Sequence, residues 1–183
     1  QDVTYITVYR HPIDVHFSMM KHISNMTADI LDFLLCDSPQ AAFERFLLGH
    51  KTDRGTDDLT LESMLHHYRS FARWTHLPNV HFAHYADLSA DLPGQIRRYA
   101  SMIGLEASDE LVAGIAQAAS FGSMKETVRQ RLDGVDDGPF VRASTFFDSA
   151  TSNKWEGRLT DADLASYRAR IAQLATPAEI AWL

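Results

Sequence analysis

An arginine and a serine eight residues apart, Arg10 and Ser18, are spaced to hold a phosphate group. The run Val3–Tyr9 before them is rich in β-branched and aromatic residues, and its length predicts a buried strand. Pro12 predicts a helix start because its fixed φ angle suits the first helical position, and Asp14 adds an acid to the first turn. Arg10 is therefore expected at the carboxyl end of a strand and beside a helix terminus, where open α/β sheets bind ligands.

The two side chains would bind an anion in different ways. A guanidinium can donate to two phosphate oxygens at once, and the Ser18 hydroxyl can donate a third hydrogen bond from the helix. Taken singly, each residue has an ordinary alternative. An arginine after a strand is often a salt-bridge partner, and a helical serine is often a small surface residue. Other segments of the chain must decide between these interpretations.

The composition indicates an ordinary globular protein and limits its partners. The chain has 183 residues, of which 45% are hydrophobic and 22% charged, which predicts one domain over residues 1–183 with one substantial core. The formal net charge of −7 argues against a nucleic-acid partner or an anionic membrane surface, because both need a basic field. Any anionic ligand must therefore be bound by local positive charge.

The single cysteine, Cys36, excludes an internal disulfide and suits a reducing compartment, so a cytoplasmic location is expected. Its apolar neighbours favour a buried, inert thiol. No stretch of the sequence is apolar for long enough to predict a signal peptide or a membrane span. His66 and His67 are adjacent but have no third ligand in view, so no metal site is predicted.

Apolar periodicity predicts an alternation of helices and strands along the rest of the chain. Helices are predicted from Ser38 to Gly49, from about Leu59 to His76, from about Leu92 to Ile103, from Ser108 to Ala118 and from Thr160 to Leu174. In the second of these, the core stripe is expected to be Leu61, Met64, Leu65, Tyr68, Phe71 and Trp74. Val80–Tyr85 is predicted as a second strand, and residues 133–139 as a mobile loop.

Two strands separated by helices predict a parallel crossover connection. The expected fold class is therefore α/β, with a mostly parallel sheet flanked by helices in three layers.

Four segments, taken in order, resemble the sulfotransferases that use 3′-phosphoadenosine 5′-phosphosulfate (PAPS). The segment from Arg10 to Ser18 is similar to the family's 3′-phosphate motif. His84–Leu88 resembles its strand-end tyrosine-acid pattern, and Ala119–Lys125 resembles its Ser-Phe-x-x-Met segment. Trp155 resembles the tryptophan that follows the family's second phosphate-binding loop.

The resemblance implies a nucleotide-binding fold, a donor and a set of donor-binding residues. Those residues are Arg10, Ser18, Tyr85, Ser120, Phe121 and Met124. The first two would bind the 3′-phosphate, the aromatic pair would frame the adenine, and the remaining serine and methionine would complete that wall. The implied reaction transfers a sulfuryl group from PAPS to a hydroxyl or amine of a small-molecule, carbohydrate or peptide acceptor, and PAP is the nucleotide product.

The chain departs from the family's pattern at residues 148–150. The family usually has Arg-Lys-Gly there, whereas this chain has Asp-Ser-Ala. Arg142, Lys154 or Arg158 could supply a replacement cation, and a shifted alignment could also restore the match. The segment after Trp155 keeps little of a short dimer motif that members often show, so that dimer is not expected.

The family's Lys-Ser/Gly-Thr loop, which wraps the 5′-phosphosulfate, and its histidine base do not occur in these 183 residues. We therefore expect the carboxy-terminal portion of a sulfotransferase, without the amino-terminal strand and inactive by itself. No catalytic residue is predicted. The alternative is a non-catalytic nucleotide-binding or interaction module that retains the scaffold. A kinase-like enzyme fits poorly, because no triphosphate-binding loop or metal-binding acidic pattern accompanies the strand.

Overall fold

A computed structural model of the chain describes residues 3–28, 35–49, 59–132, 140–142 and 151–183. Two strands in these residues, β1 (Tyr5–Tyr9) and β2 (Val80–His84), pair in parallel. The helices in the described residues are α1 (Pro12–Ile23), α2 (Pro39–Leu48), α3 (Leu61–Ala72), α4 (Tyr85–Ala90), α5 (Leu92–Met102), α6 (Asp109–Ala118), α7 (Phe121–Leu132), α8 (Asp161–Leu174) and α9 (Pro177–Trp182).

The chain divides into two compact units. The sheet unit comprises Gln1–Tyr9 and Trp74–Ala150, and the helical unit comprises Arg10–Arg73 and Thr151–Leu183. The boundary between Tyr9 and Arg10 separates β1 from the predicted phosphate motif. The single domain over residues 1–183 stays a prediction.

The sheet unit confirms the predicted parallel pairing but not the predicted burial of the first strand. The register runs from Tyr5 opposite Val80 to Tyr9 opposite His84, and the Tyr9 ring contacts Phe82 with centroids 5.1 Å apart. Val3, just before β1, and Val8 within it are 55% and 54% exposed. The reason is that β1 has one neighbouring strand among the described residues, which leaves much of its surface uncovered.

The helices of the sheet unit begin where local side chains can satisfy their first N–H groups. The backbone N–H of Gly94 donates to Asp91 Oδ1 at 2.9 Å at the start of α5, and Ser108 accepts from the N–H of Leu111 at the start of α6. Arg97 and Asp109 then join α5 to α6 through an ion pair of 2.7 Å. Ser108 is the helix start that the sequence predicts, whereas the capping role of Asp91 was not predicted.

The helical unit contains the larger hydrophobic core. Its buried members are Ile13, Phe17, Phe43, Phe46, Leu47, Leu61, Leu65, Tyr167 and Ile171. They come from α1, α2, α3 and α8, so four helices each contribute one apolar face. Ser38 and Thr160 cap α2 and α8 through bonds to N–H groups three residues later, as the sequence predicts.

The predicted helix from Leu59 to His76 is too long at its carboxyl end. Helix α3 ends at Ala72, and residues 73–76 form turns. Trp74 therefore lies outside the core stripe and is 44% exposed, whereas Leu61 and Leu65 are buried as predicted. Apolar spacing alone does not stop a helix, and Pro78, the nearest residue that breaks helices, lies six residues beyond the observed end at Ala72.

Two further expectations concern single segments. Cys36 is half-buried rather than fully buried. The predicted loop at residues 133–139 lies outside the described residues.

Candidate functional site

Helix α1 presents a line of polar side chains to the loop that begins at Thr151. Asp14 and Ser18 are spaced four residues apart within α1, which places them one above the other on one side of the helix, and Arg10 lies just before the helix start. Arg10 Nη2 lies 3.6 Å from Asp14 Oδ2 and donates to the carbonyl oxygen of Thr151 at 2.9 Å. The first turn of α1 thus fixes the orientation of the guanidinium.

Asp14 also binds this loop, through the backbone of Lys154. Its side chain is almost fully buried, and Asp14 Oδ1 accepts a hydrogen bond from the backbone N–H of Lys154 at 3.1 Å. Asn153, just before, has a φ of 60°, a left-handed conformation that asparagine tolerates better than most residues. Trp155, just after, packs against the core of the helical unit. The contacts of Asp14 and Trp155 therefore fix the backbone position of Lys154.

The side chain of Lys154 extends to the second turn of the helix. Its Nζ lies 3.4 Å from Ser18 Oγ. One turn further along α1, the pKa of His22 is lowered, first by burial and then by the positive charges of Lys154 and Lys21. Lys154 and Lys21 thus place two positive charges near this part of α1, in a protein whose formal net charge is −7. Local positive charge of this kind is what an anionic ligand requires.

The other predicted site residues belong to the sheet unit. Tyr85 is the first residue of α4 rather than the last of β2, because His84 Nδ1 accepts from the N–H of Ala86 and starts the helix there. Tyr85 and Phe121 are both half-buried.

Ser120, Phe121 and Met124 lie together at the start of α7. The Ser120 hydroxyl donates to Ser123 Oγ at 3.0 Å, and it accepts from the N–H of Ser123 at 3.3 Å, so it also caps the helix. Lys125 Nζ lies 5.8 Å from the centre of the Phe121 ring, and Met124 is exposed. The structure thus groups the phosphate candidates in one unit and the adenine candidates in the other.

The match to known proteins decides the family. A family model described as the sulfotransferase domain matches residues 1–176. The chain belongs to the sulfotransferase family. This confirms the resemblance seen in the sequence, and the family uses PAPS as its sulfuryl donor.

Named relatives of this sulfotransferase chain include bacterial enzymes. It is 30% identical to the glycolipid sulfotransferases of Mycobacterium bovis and Mycobacterium tuberculosis, over 98% of its own length and 63% of theirs. The chain therefore spans about 63% of the length of these curated relatives.

Solved structures confirm the α/β fold. A mouse sulfotransferase complexed with PAP superposes with a TM-score of 0.75 at 18% identity, covering 98% of this chain and 60% of that one. A retinol dehydratase in complex with androsterone and the inactive cofactor PAP gives a TM-score of 0.71 at 22% identity, covering 96% of this chain and 48% of that one.

Sequence reasoning left three candidates for the cation that residues 148–150 do not supply in this sulfotransferase. Lys154 is the one that lies beside Ser18. Arg158 instead lies over the Phe17 ring, with its guanidinium carbon 5.7 Å from the centroid, and Arg142 is exposed in the sheet unit. Residues 148–150 themselves lie outside the described residues.

Two features of α1 were not predicted. The anchoring role of Asp14 was missed, although its spacing of four residues from Arg10 is the signal that could have indicated an ion pair. The burial of His16 among Phe17, Phe43 and Phe46 was not predicted either. Its pKa is lowered to about 4 by burial, so the imidazole is neutral at pH 7.

The described residues also show whether the chain offers a metal site or a membrane-spanning helix. Within them, no three histidine, cysteine or acidic side chains are grouped so that they could hold a metal ion. In that same part of the chain, each helix is too short or too polar to cross a membrane.

Proposed function

We propose that this chain is the donor-binding portion of a sulfotransferase that transfers the sulfuryl group of PAPS to a hydroxyl group of a glycolipid. The observation that carries the proposal is that Arg10 and Ser18 both contact one short segment, through Thr151 and Lys154, in a chain whose family uses PAPS. The glycolipid acceptor is taken from the names of the two mycobacterial relatives. A cytoplasmic location is part of the proposal and is supported by the low cysteine content.

Each donor-binding residue has a role that follows from its chemistry. Arg10 and Ser18 bind the 3′-phosphate by charge-assisted hydrogen bonds. Tyr85 and Phe121 frame the adenine, because a flat base stacks well on an aromatic ring. Ser120 and Met124 complete the wall beside it, with the thioether filling gaps around the base.

Bound PAPS supplies the sulfuryl group, and the residues assigned here hold the end of the donor that does not react. Transfer of such a group depends mainly on alignment and on stabilising charge at the transferring oxygens. The 3′-phosphate and the adenine do not change during the reaction, so contacts to them stabilise ground state and transition state alike. Loss of such a contact is therefore expected to raise the KM for PAPS more than it lowers kcat.

The proposal is tested first by binding. In the full-length protein, Arg10→Ala is expected to weaken PAP binding at least tenfold, since a hydrogen bond to a charged group contributes about 1.5 to 3 kcal/mol. Arg168→Ala is the matched control, because it removes a positive charge from an exposed position of α8 in the same unit. Titration calorimetry that shows equal affinity for wild type and Arg10→Ala would remove Arg10 from the site.

The reaction is tested with radiolabelled PAPS and panels of glycolipids, sugars, phenols, alcohols and peptides. We expect label to appear in the glycolipids, and transfer to another panel alone would replace the acceptor assignment. Tight PAP binding with no transfer to any panel would favour the alternative, a non-catalytic module that retains the nucleotide site.

A further inference from the structure

The charge of Arg10 is largely offset within the protein. Asp14 is buried and lies 3.6 Å from the Arg10 guanidinium, so the pair has little net charge. A 3′-phosphate carries close to two negative charges at neutral pH, and a neutral pair beside it would leave most of that charge uncompensated. The site therefore needs a further cation. In the family's pattern that cation comes from the Arg-Lys-Gly loop, which is Asp-Ser-Ala at residues 148–150 in this chain.

Lys154 lies where such a cation is needed. Its ammonium group is 3.4 Å from the Ser18 hydroxyl oxygen, a separation longer than a strong hydrogen bond. An ammonium group has three N–H donors, so it can contact this hydroxyl and a phosphate oxygen together. When Ser18 Oγ accepts from Lys154, its own O–H is directed away from the ammonium and can donate to the same anion.

The ammonium group is not what holds the loop in place. Asp14 accepts from the backbone N–H of Lys154, a bond that any residue except proline would make at this position. The neighbouring Trp155 anchors the loop by packing against the core. The charge of Lys154 can therefore be removed without removing the contacts that position its backbone.

We propose that Lys154 is a binding residue for the 3′-phosphate and supplies the positive charge that Asp148, Ser149 and Ala150 cannot. The inference rests on the proposed function, because it presupposes that the nucleotide binds with its 3′-phosphate beside Ser18. It adds a residue from the opposite end of the chain to the site. Selectivity for a 3′-phosphorylated nucleotide then depends on Lys154.

The test compares two nucleotides that differ only in the 3′-phosphate, PAP and adenosine 5′-monophosphate. Calorimetry on the full-length protein gives the affinity ratio for wild type, Lys154→Gln and Lys154→Arg, with Arg168→Gln as the matched loss of one charge. Lys154→Gln is expected to weaken PAP binding about ten- to hundredfold and to leave adenosine 5′-monophosphate binding unchanged. Lys154→Arg is expected to keep most of the preference for PAP.

The outcomes distinguish a wrong assignment of Lys154 from a wrong proposed function. If wild type prefers PAP and Lys154→Gln keeps the full preference, the Lys154 assignment is wrong while the 3′-phosphate site stands. If wild type shows no preference for PAP, the proposed 3′-phosphate site is wrong, and the assignment of Lys154 to that site is wrong as well. The melting temperature of Lys154→Gln is expected to match wild type. A large fall, together with weaker binding of both nucleotides, would show a structural role and overturn the assignment.

Discussion

His16 is expected to make the folding stability of this protein depend on pH. Its imidazole is 4% exposed and lies among the rings of Phe17, Phe43 and Phe46, with centroid separations of 5.2, 5.6 and 4.8 Å. Its Nε2 atom has no hydrogen-bond partner in the part of the chain that the structure describes. Burial lowers the pKa of His16 to about 4, because an imidazolium ion would be poorly solvated among aromatic rings.

Proton binding by the folded and unfolded chains determines whether stability rises or falls with pH. Between pH 6.5 and about 4, the unfolded chain binds a proton at His16 that the folded chain does not. Stability from this residue is therefore complete above pH 6.5 and falls as the pH falls through that window. One pKa unit corresponds to about 1.36 kcal/mol, so the loss is roughly 2 kcal/mol at pH 5 and about 3 kcal/mol near pH 4.

The measurement is urea unfolding of wild type and His16→Phe at pH 7 and at pH 5. Phenylalanine keeps an aromatic ring at this position but cannot bind a proton. The free energy of unfolding of wild type is expected to fall by about 2 kcal/mol more than that of the variant. The control is His66→Gln, an exposed position on α3, which should keep the pH dependence of wild type.

The change in unfolding free energy between the two pH values separates the effect of His16 protonation from the effect of altered packing. A phenylalanine that packs poorly would lower stability equally at both pH values and would leave the difference between slopes intact. If wild type and His16→Phe lose the same free energy between pH 7 and pH 5, then His16 does not resist protonation in the folded state. Burial would then not lower the pKa of His16.

Three other predictions concern the nucleotide site and the end of the chain. Bound PAP should raise the lowered pKa of His22, because its phosphate opposes the charge of Lys154; NMR titration showing no rise would contradict this. Phe121→Ala should weaken PAP and adenosine 5′-monophosphate binding alike, by about 1 to 3 kcal/mol, and calorimetry showing an effect on PAP alone would place the ring elsewhere. Glu179→Gln should lower unfolding free energy by about 1 kcal/mol, because Arg69 donates to both Glu179 carboxylate oxygens at 2.7 and 2.9 Å. A melting temperature equal to that of wild type would refute a stabilising ion pair between Arg69 and Glu179.

Helix starts were the most predictable part of the fold. Ser38 and Thr160 were identified as caps because a capping bond joins a side chain to an N–H three residues later. The carboxyl end of α3 was not predictable from the same kind of signal. The apolar spacing continues through Trp74, while the helix stops at Ala72, and burial of the stripe depends on which helices cover it.

The order of motifs along the chain was sufficient to indicate the family. The sulfotransferase match over residues 1–176 confirms it, although 148–150 depart from the expected loop. A strand followed by Arg10 and, eight residues on, by Ser18 is a local pattern. It depends only on a strand end and the helix that follows it, so it can be recognised without knowledge of the rest of the fold.

The sequence by itself determined the α/β class and the family, because both depend on patterns within one or two neighbouring elements and on their order along the chain. Only the tertiary structure decided that Lys154, 136 residues from Ser18 in the chain, lies beside it. The same is true of the burial of His16 among rings from two helices. Contacts between distant segments depend on how whole helices pack, and local periodicity carries no information about which loop a helix face will meet.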